Sequence, residues 1–321
     1  LSTAPLWGVM LVRIDEHQHL LALKAHHLVL DGWGVDQWFK QLAHLYRQLE
    51  LGQPLPGSAP SYTTFIEDDA RYQASARHAK DRAYWLARYA SLPDPLLQPR
   101  QQPEHAPSPS GALELAFAPS LLARMRGLAA PLNASPFHVL LAALHVCVSR
   151  TWQRDEWVVG LPVRNRSNAQ FKATLGLFTQ VSALRMGFGR ALAFAPLVQG
   201  IAEALKQDFR HQRYALSALQ RELAVQPGGR ARLFEVLVSF EEDTNALCIG
   251  DTASHTVMIS NGHEPAPLSI HLRCNTHTGA ARLHLVHDRA WLADDEVQAL
   301  AARLLHVLEQ GLAQPQLAVA A

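Results

Sequence analysis

The stretch Ala25-His26-His27-Leu28-Val29-Leu30-Asp31-Gly32-Trp33-Gly34 decides how this chain is read. An apolar approach, Leu20 to Ala25, leads into two histidines, three aliphatic residues, an acid and a glycine, and an amphipathic segment, Val35 to Leu49, follows. The pattern predicts a strand that delivers imidazoles to a tight turn, with a helix leaving that turn. With 17 histidines in 321 residues, about one adjacent pair is expected by chance. It is Asp31 and Gly32 at fixed offsets that single the stretch out.

Side chains of a strand alternate between faces. In a strand running from His19 to Leu30, Leu21, Leu23, Ala25, His27 and Val29 share one face, and Leu20, Ala22, Lys24, His26 and Leu28 the other. The His27 face is otherwise apolar, whereas the His26 face carries Lys24. The alternation therefore places His27 as the enclosed imidazole and His26 as its packed, hydrogen-bonded support. Beyond the turn, Val35, Trp38, Phe39, Leu42, Leu45, Tyr46 and Leu49 form one helical stripe. Asp31 stands where it can cap that helix or pair with a cation.

Hydrophobic residues make up 48% of the chain and charged ones 18%, which excludes wholesale disorder. The length suggests about two domains. A net charge of +1 gives no reason to expect nucleic acid or an anionic membrane surface. No apolar run reaches the ~18 residues of a membrane span. Cys147, Cys248 and Cys274 are far apart, odd in number and without metal-ligand spacing, so they read as reduced cysteines of a cytoplasmic protein with no metal. The start, Leu1-Ser2-Thr3-Ala4-Pro5, has neither an initiator Met nor a signal peptide, as expected of a piece of a longer chain.

Leu6 to Arg13 and His19 to Leu30 are predicted as a hairpin, with helices starting at Ser61 and running through Ala79 to Leu86. Six prolines between residues 93 and 110 predict a linker and a domain boundary. The second part is predicted to carry strands at Leu113–Phe117, Val158–Val163, Val181–Phe188, Phe234–Phe240, Thr256–Ser260, Leu268–Cys274 and Ala281–His287. Its helices are expected at Pro119–Ala130, from the Ser135-Pro136 cap to Trp152, at Phe194–Gln212, and at Asp294–Gln310, the last ended by Gly311. Strands and helices mixed without regular alternation predict an α/β fold of layered α+β type. The expected domains are residues 1–105 and 106–312, with 313–321 a linker.

Taken together, these residues resemble the condensation domains of nonribosomal peptide synthetases. The family's HHxxxDG pattern stands here as His26-His27-Leu28-Val29-Leu30-Asp31-Gly32. Four further stretches match in order: Tyr84-Trp85, Gly160 to Arg166, Leu175 to Arg185, and His211-Gln212-Arg213-Tyr214. The resemblance implies a fold of two chloramphenicol-acetyltransferase-like halves in a V, the first incomplete here, because family members carry roughly a hundred residues before the histidine motif. Gly34, Gln180, Arg213 and Ala215-Leu216-Ser217 depart from the usual pattern. Gly34, the run Asn165 to Lys172 and the His-Gln-Arg-Tyr motif are similar to the starter subgroup, which acylates the first amino acid of an assembly line from acyl-CoA. Heterocyclisation domains, with aspartates for the histidines, and epimerisation domains, with a different continuation after the glycine, match less well.

The resemblance implies attack of an amine on an acyl thioester. His27 is then the general base or positioning group, since an imidazole titrates near working pH. His26 supports it. Gly32 offers a backbone N–H to the oxyanion. Asp31 is expected to be a clamp between the halves, paired with Arg166. Trp33, Gly34, His211 and Ser269 are candidates for lining a substrate channel. Against these stand ordinary structural roles: a packed His26, Trp33 and Trp38 in the core, and Tyr84-Trp85 as packing. No permanently bound cofactor is implied. The substrates implied are acyl-CoA and the phosphopantetheine arm of a peptidyl carrier protein, and the implied neighbour is a downstream adenylation domain in the same polypeptide. The alternatives are elongation from a carrier-bound donor, a catalytically silent recruitment module, and a free-standing acyltransferase.

Overall fold

A helix that is apolar all round belongs in the middle of a protein. The segment Pro136–Thr151 is such a helix, with every residue from Val139 to Ser149 buried. Pro136 opens it, and the His138 Nδ1 reaches back to accept from the Ser135 N–H at 2.9 Å. In the computed structural model, residues 4–100, 109–189, 191–224, 232–243, 248–254, 256–257, 259–275 and 279–318 are described.

In chain order the elements are β1 (Trp7–Arg13), β2 (His19–Ala25), α1 (Gly32–Glu50), α2 (Thr63–Gln73), α3 (Ala76–Arg88), β3 (Ser110–Phe117), α4 (Pro119–Ala129), α5 (Pro136–Thr151), β4 (Trp157–Val163), α6 (Ala169–Ala173) and β5 (Gln180–Met186). Then come α7 (Phe194–Phe209), α8 (Leu216–Ala224), β6 (Val236–Asp243), the short β7 (Cys248–Ile249) and β8 (Thr252–Ala253), β9 (Leu268–Asn275), β10 (Ala281–Asp288) and α9 (Asp294–Ala313). The mixed, layered α/β class expected from the sequence is found.

The chain folds as two compact units built from interleaved segments. The first takes Leu1–His78, Arg164–Gln180 and Ala246–Thr256, and the second takes the rest. The division expected near residue 105 is therefore not where the chain changes unit. The proline-rich stretch is not a free linker over 93–100 either: Leu96 and Leu97 are buried in the large core, and the Leu96 N–H donates to Glu235 at 3.0 Å. Residues 101–108 lie outside the described residues.

In the first unit β1 and β2 pair antiparallel from Trp7↔Ala25 to Arg13↔His19. Phe65 of α2 packs on Phe171 of α6 and on Phe178, with ring centroids 5.5 and 4.4 Å apart. The hairpin β7–β8 lies against α1, where Arg47 pairs with Asp251 at 3.5 Å. The second unit is a six-stranded sheet in the order β3-β10-β9-β6-β4-β5, parallel at β6–β9 and β4–β6 and antiparallel at β9–β10 and β10–β3. Leu268, Ile270, Leu272, Leu283 and Leu285 join residues of α4, α5, α7 and α9 in its core.

Several elements differ from expectation. Thr256–Ser260 is not a strand where it is described, because the extended pairing in this region is made by β7 and β8 instead. The helix expected to reach Gln212 stops at Phe209, and α6 and α8 were not foreseen. Gly311 does not end α9: it is buried within it, because a Cβ there would meet the Phe194 ring at 2.7 Å. The 313–321 tail is tied down as far as Ala318. Pro315 O accepts from Ala195 N at 2.8 Å, and Ala318 bridges to Ala193.

Candidate active site

β2 ends at Ala25, so the predicted strand to Leu30 is five residues too long. The last ladder contact is the His26 N–H to Leu6 O at 2.7 Å. The His26 imidazole then captures a backbone donor of its own segment: its Nδ1 accepts from Leu28 N at 3.1 Å, and Val29 N returns to His26 O at 3.0 Å. A side chain that satisfies local backbone in this way favours a turn over a ladder. The alternation of faces therefore stops before the histidines. His26, His27 and Leu28 are all exposed. The strand-face placement of the two histidines is therefore not found. His27 is an exposed residue of the turn, and His26 supports that turn by hydrogen bonding, not by burial. An acceptor role for His26 Nδ1 puts the ring proton of the neutral form on Nε2.

The downstream end of the turn is held at Asp31, whose side chain is fully buried. Asp31 caps α1 and pairs with a cation at once. Its Oδ1 accepts from Gly34 N at 2.7 Å and Arg166 at 2.9 Å, and its Oδ2 from Phe178 N at 2.9 Å, Thr179 N at 3.0 Å and the Thr179 hydroxyl at 3.1 Å. Burial alone would raise its pKa, but the Phe178, Gly34 and Thr179 amides and Arg166 together hold the carboxyl below the usual range. A carboxylate with both oxygens filled by donors is no base for substrate. The expected Asp31–Arg166 pair is present, and both residues belong to the first unit.

Both terminal nitrogens of Arg166 are used, while its buried Nε has no hydrogen-bond partner among the described residues. One terminal nitrogen donates to Phe171 O and Thr174 O at 2.6 Å each, the other to Asp31 and to Gly176 O at 3.2 Å, and its guanidinium lies 4.0 Å from the Phe178 ring centre. Asn165 just before it has φ of +49°, a left-handed turn that Asn tolerates. Gly176 O also accepts from Asp31 N at 3.3 Å. The loop 176–179 was read from sequence only as part of a motif. Its backbone role, donating twice to Asp31 and accepting from it, leaves no trace in residue type except Gly176, which has φ of +154°.

The two glycines of the stretch differ. Gly32 opens α1, is exposed, and has open space where a Cβ would lie, so its N–H is one of the first-turn donors a helix cannot satisfy itself. Gly34 is not a turn residue but a buried member of α1. A Cβ there would lie 2.7 Å from Leu30 Cδ1 and 3.2 Å from both Asp31 Oδ1 and Gly176 O. Trp33 is half-buried. Its Nε1 donates to Lys172 O at 2.8 Å, and Arg164 stacks 4.8 Å from the ring.

The two remaining channel candidates belong to the second unit. His211 Nδ1 meets the buried Asp81 at 2.7 Å, its ring stacks on Tyr84 at 4.0 Å, and its carbonyl accepts from Trp85 Nε1 at 2.9 Å. Ser269 is buried on β9 with its hydroxyl donating to Glu264 at 2.8 Å. Both are engaged by protein partners, and Tyr84 and Trp85 pack as expected. Among the described residues no single helix is long and apolar enough to cross a membrane, and no group of three metal-ligating side chains converges.

The family model described as "Condensation domain" matches residues 1–321. A plipastatin synthase of Bacillus subtilis (strain 168) is 25% identical over 325 residues, covering 98% of this chain and 12% of that protein. Tyrocidine synthase 3 of Brevibacillus parabrevis is 27% identical over 329 residues, covering all of this chain and 5% of that protein. The chain thus spans a small part of the curated relatives it matches. Among solved structures, the first condensation domain of the calcium-dependent antibiotic synthetase, in complex with a substrate analogue, superposes with a TM-score of 0.84 at 25% identity, covering 98% of this chain and 69% of that one. A mutant starter condensation domain of rhizomide synthetase, in complex with C8-CoA, has the same fold, with a TM-score of 0.84 at 24% identity over 99% of this chain and 72% of that one.

Proposed function

From the premise that this chain belongs to the condensation-domain family, we propose that it forms an amide by acylating the amine of a carrier-bound aminoacyl thioester, with acyl-CoA as donor. The observation that carries the reading is the turn itself: an exposed His27 imidazole one residue beyond the end of a ladder and four before a saturated, buried carboxylate. The amine nitrogen bonds to the thioester carbonyl carbon, and its proton passes to the His27 imidazole. The oxyanion is met by the first-turn N–H at Gly32, at the positive end of α1. Collapse breaks the carbon–sulfur bond, and the departing CoA thiolate takes the proton back from the imidazolium. His26 and Asp31 hold the turn and move no proton.

The donor assignment draws on Gly34, the run Asn165 to Lys172 and Arg213, and on a starter domain of the same fold crystallised with C8-CoA. A carrier-bound donor, as in elongation, is the second reading. The carrier protein's phosphopantetheine arm and a following adenylation domain are partners on either reading. Reconstitution with acyl-CoA and a loaded carrier protein tests it: N-acyl product is expected, and it should vanish in His27→Ala. Product only from a carrier-bound donor would replace the starter reading by elongation. Product undiminished in His27→Ala would refute the role of His27.

A further inference from the structure

We propose that Tyr62 is a positioning residue for the His27 turn, acting through the loop 176–179 that supplies the donors to Asp31. The inference rests on the functional reading above and assigns that site a support it does not yet have.

The loop lies between α6 and β5 and is neither helix nor strand. Its backbone is therefore not set by a ladder of its own, yet two of its successive amides, Phe178 and Thr179, must both aim at one carboxylate oxygen. Three contacts from Tyr62 fix it. The phenol donates to Leu177 O, the carbonyl between Gly176 and the two amides. The ring occupies the space where a Cβ on residue 176 would lie, so the left-handed Gly176 and the aromatic ring are fitted to each other. The ring also meets the Phe178 ring edge-on, 5.2 Å between centroids at 85°. Phe65, three residues on and on the same side of the start of α2, closes on Phe178. Burial, with the Asp31 charge, pushes the Tyr62 phenol above its ordinary pKa, so it keeps the proton it donates.

The chain of contacts runs from the phenol to Leu177, from Phe178 and Thr179 to Asp31, and from Asp31 to the first turn of α1 and the downstream end of the histidine turn. A phenylalanine at 62 keeps the ring and loses only the first link. Misplacing a catalytic group is costly in kcat even when substrate binding is untouched.

The test compares wild type, Tyr62→Phe, Thr179→Val and the double variant in the acyl-CoA and loaded-carrier assay, with amide hydrogen exchange on the same proteins. For Tyr62→Phe we expect kcat down by about tenfold, KM unchanged for both substrates, and faster exchange at Phe178 and Thr179 with β9 amides unaltered. Because both side chains act through Asp31, the double variant should fall no further than the worse single one. Wild-type kcat in Tyr62→Phe, unchanged exchange at 178–179, or single effects that multiply would each overturn the proposal. Failure of the functional reading looks different: wild type then gives no His27-dependent product, and the exchange arm alone decides whether Tyr62 holds the loop.

Discussion

Replacing Asp31 by asparagine keeps the shape of the side chain and removes one acceptor. Both carboxylate oxygens face only donors: Gly34 N and Arg166 on one side, the Phe178 and Thr179 amides and the Thr179 hydroxyl on the other. Whichever way the amide is turned, its NH2 is set against at least two donors that are buried and have lost their partner. Each such group costs about 1–3 kcal/mol, giving roughly 2–6 kcal/mol. That range overlaps the ~3–5 kcal/mol found when one partner of a buried ion pair is removed. Equilibrium urea unfolding at pH 7 of wild type and Asp31→Asn reads the difference directly. The same pair at lower pH tests the cause. The folded carboxyl titrates below the usual range, so its stabilisation is complete above the unfolded value near pH ~3.9 and is lost as pH falls through the folded value. The gap between the two proteins should therefore narrow below about pH 4. A loss under about 1 kcal/mol at pH 7, or a gap that stays constant down to acid unfolding, would refute the reasoning.

Gly34→Ala should destabilise by about 1–3 kcal/mol through crowding at Leu30, Asp31 and Gly176, whereas Gly32→Ala, with open space and an ordinary helical position, should be neutral or gain up to about 1 kcal/mol. Thermal melts that rank them the other way would contradict the packing. A thiol reagent should label Cys248 alone in the native protein and all three cysteines in denaturant, since Cys147 and Cys274 are buried and burial pushes their thiols up to about 12 and about 11. Mass spectrometry counts the adducts, and native labelling of Cys147 or Cys274 would show that the core opens.

The fold class was legible because long periodic segments declare themselves. The apolar run after Ser135-Pro136 can only be a buried helix, and the stripe from Val35 to Leu49 is α1 nearly to the residue. The motif residues were legible as a set, and so was the pairing of Asp31 with Arg166. What misled was extending a period of two through His26 to Leu30. The apolar alternation continues there, but a histidine that can hydrogen-bond its own turn ends the ladder, and no count of faces registers that competition. Gly311 misled for a related reason: a glycine near a helix end reads as a stop, and only the Phe194 ring shows that it is a close approach. The division into units was hidden because it depends on segments far apart in the chain, and prolines between 93 and 100 turned out to carry buried leucines. The loop 176–179 works through backbone groups, which every residue type possesses alike.

The turn that carries His27 has two anchors of unlike kind. Downstream it is held by a charged cradle in which both oxygens of Asp31 and both terminal nitrogens of Arg166 are hydrogen-bonded. Upstream it hangs from the Leu6 carbonyl at the end of a two-stranded ribbon that leaves Trp7, Met10, Leu11 and Leu20 more than half exposed. The turn is thus tethered at one end by charge-assisted contacts of the Asp31 side chain and at the other by a backbone hydrogen bond. Loss of the Asp31 contacts would free the downstream end of that turn and the first turn of α1 together.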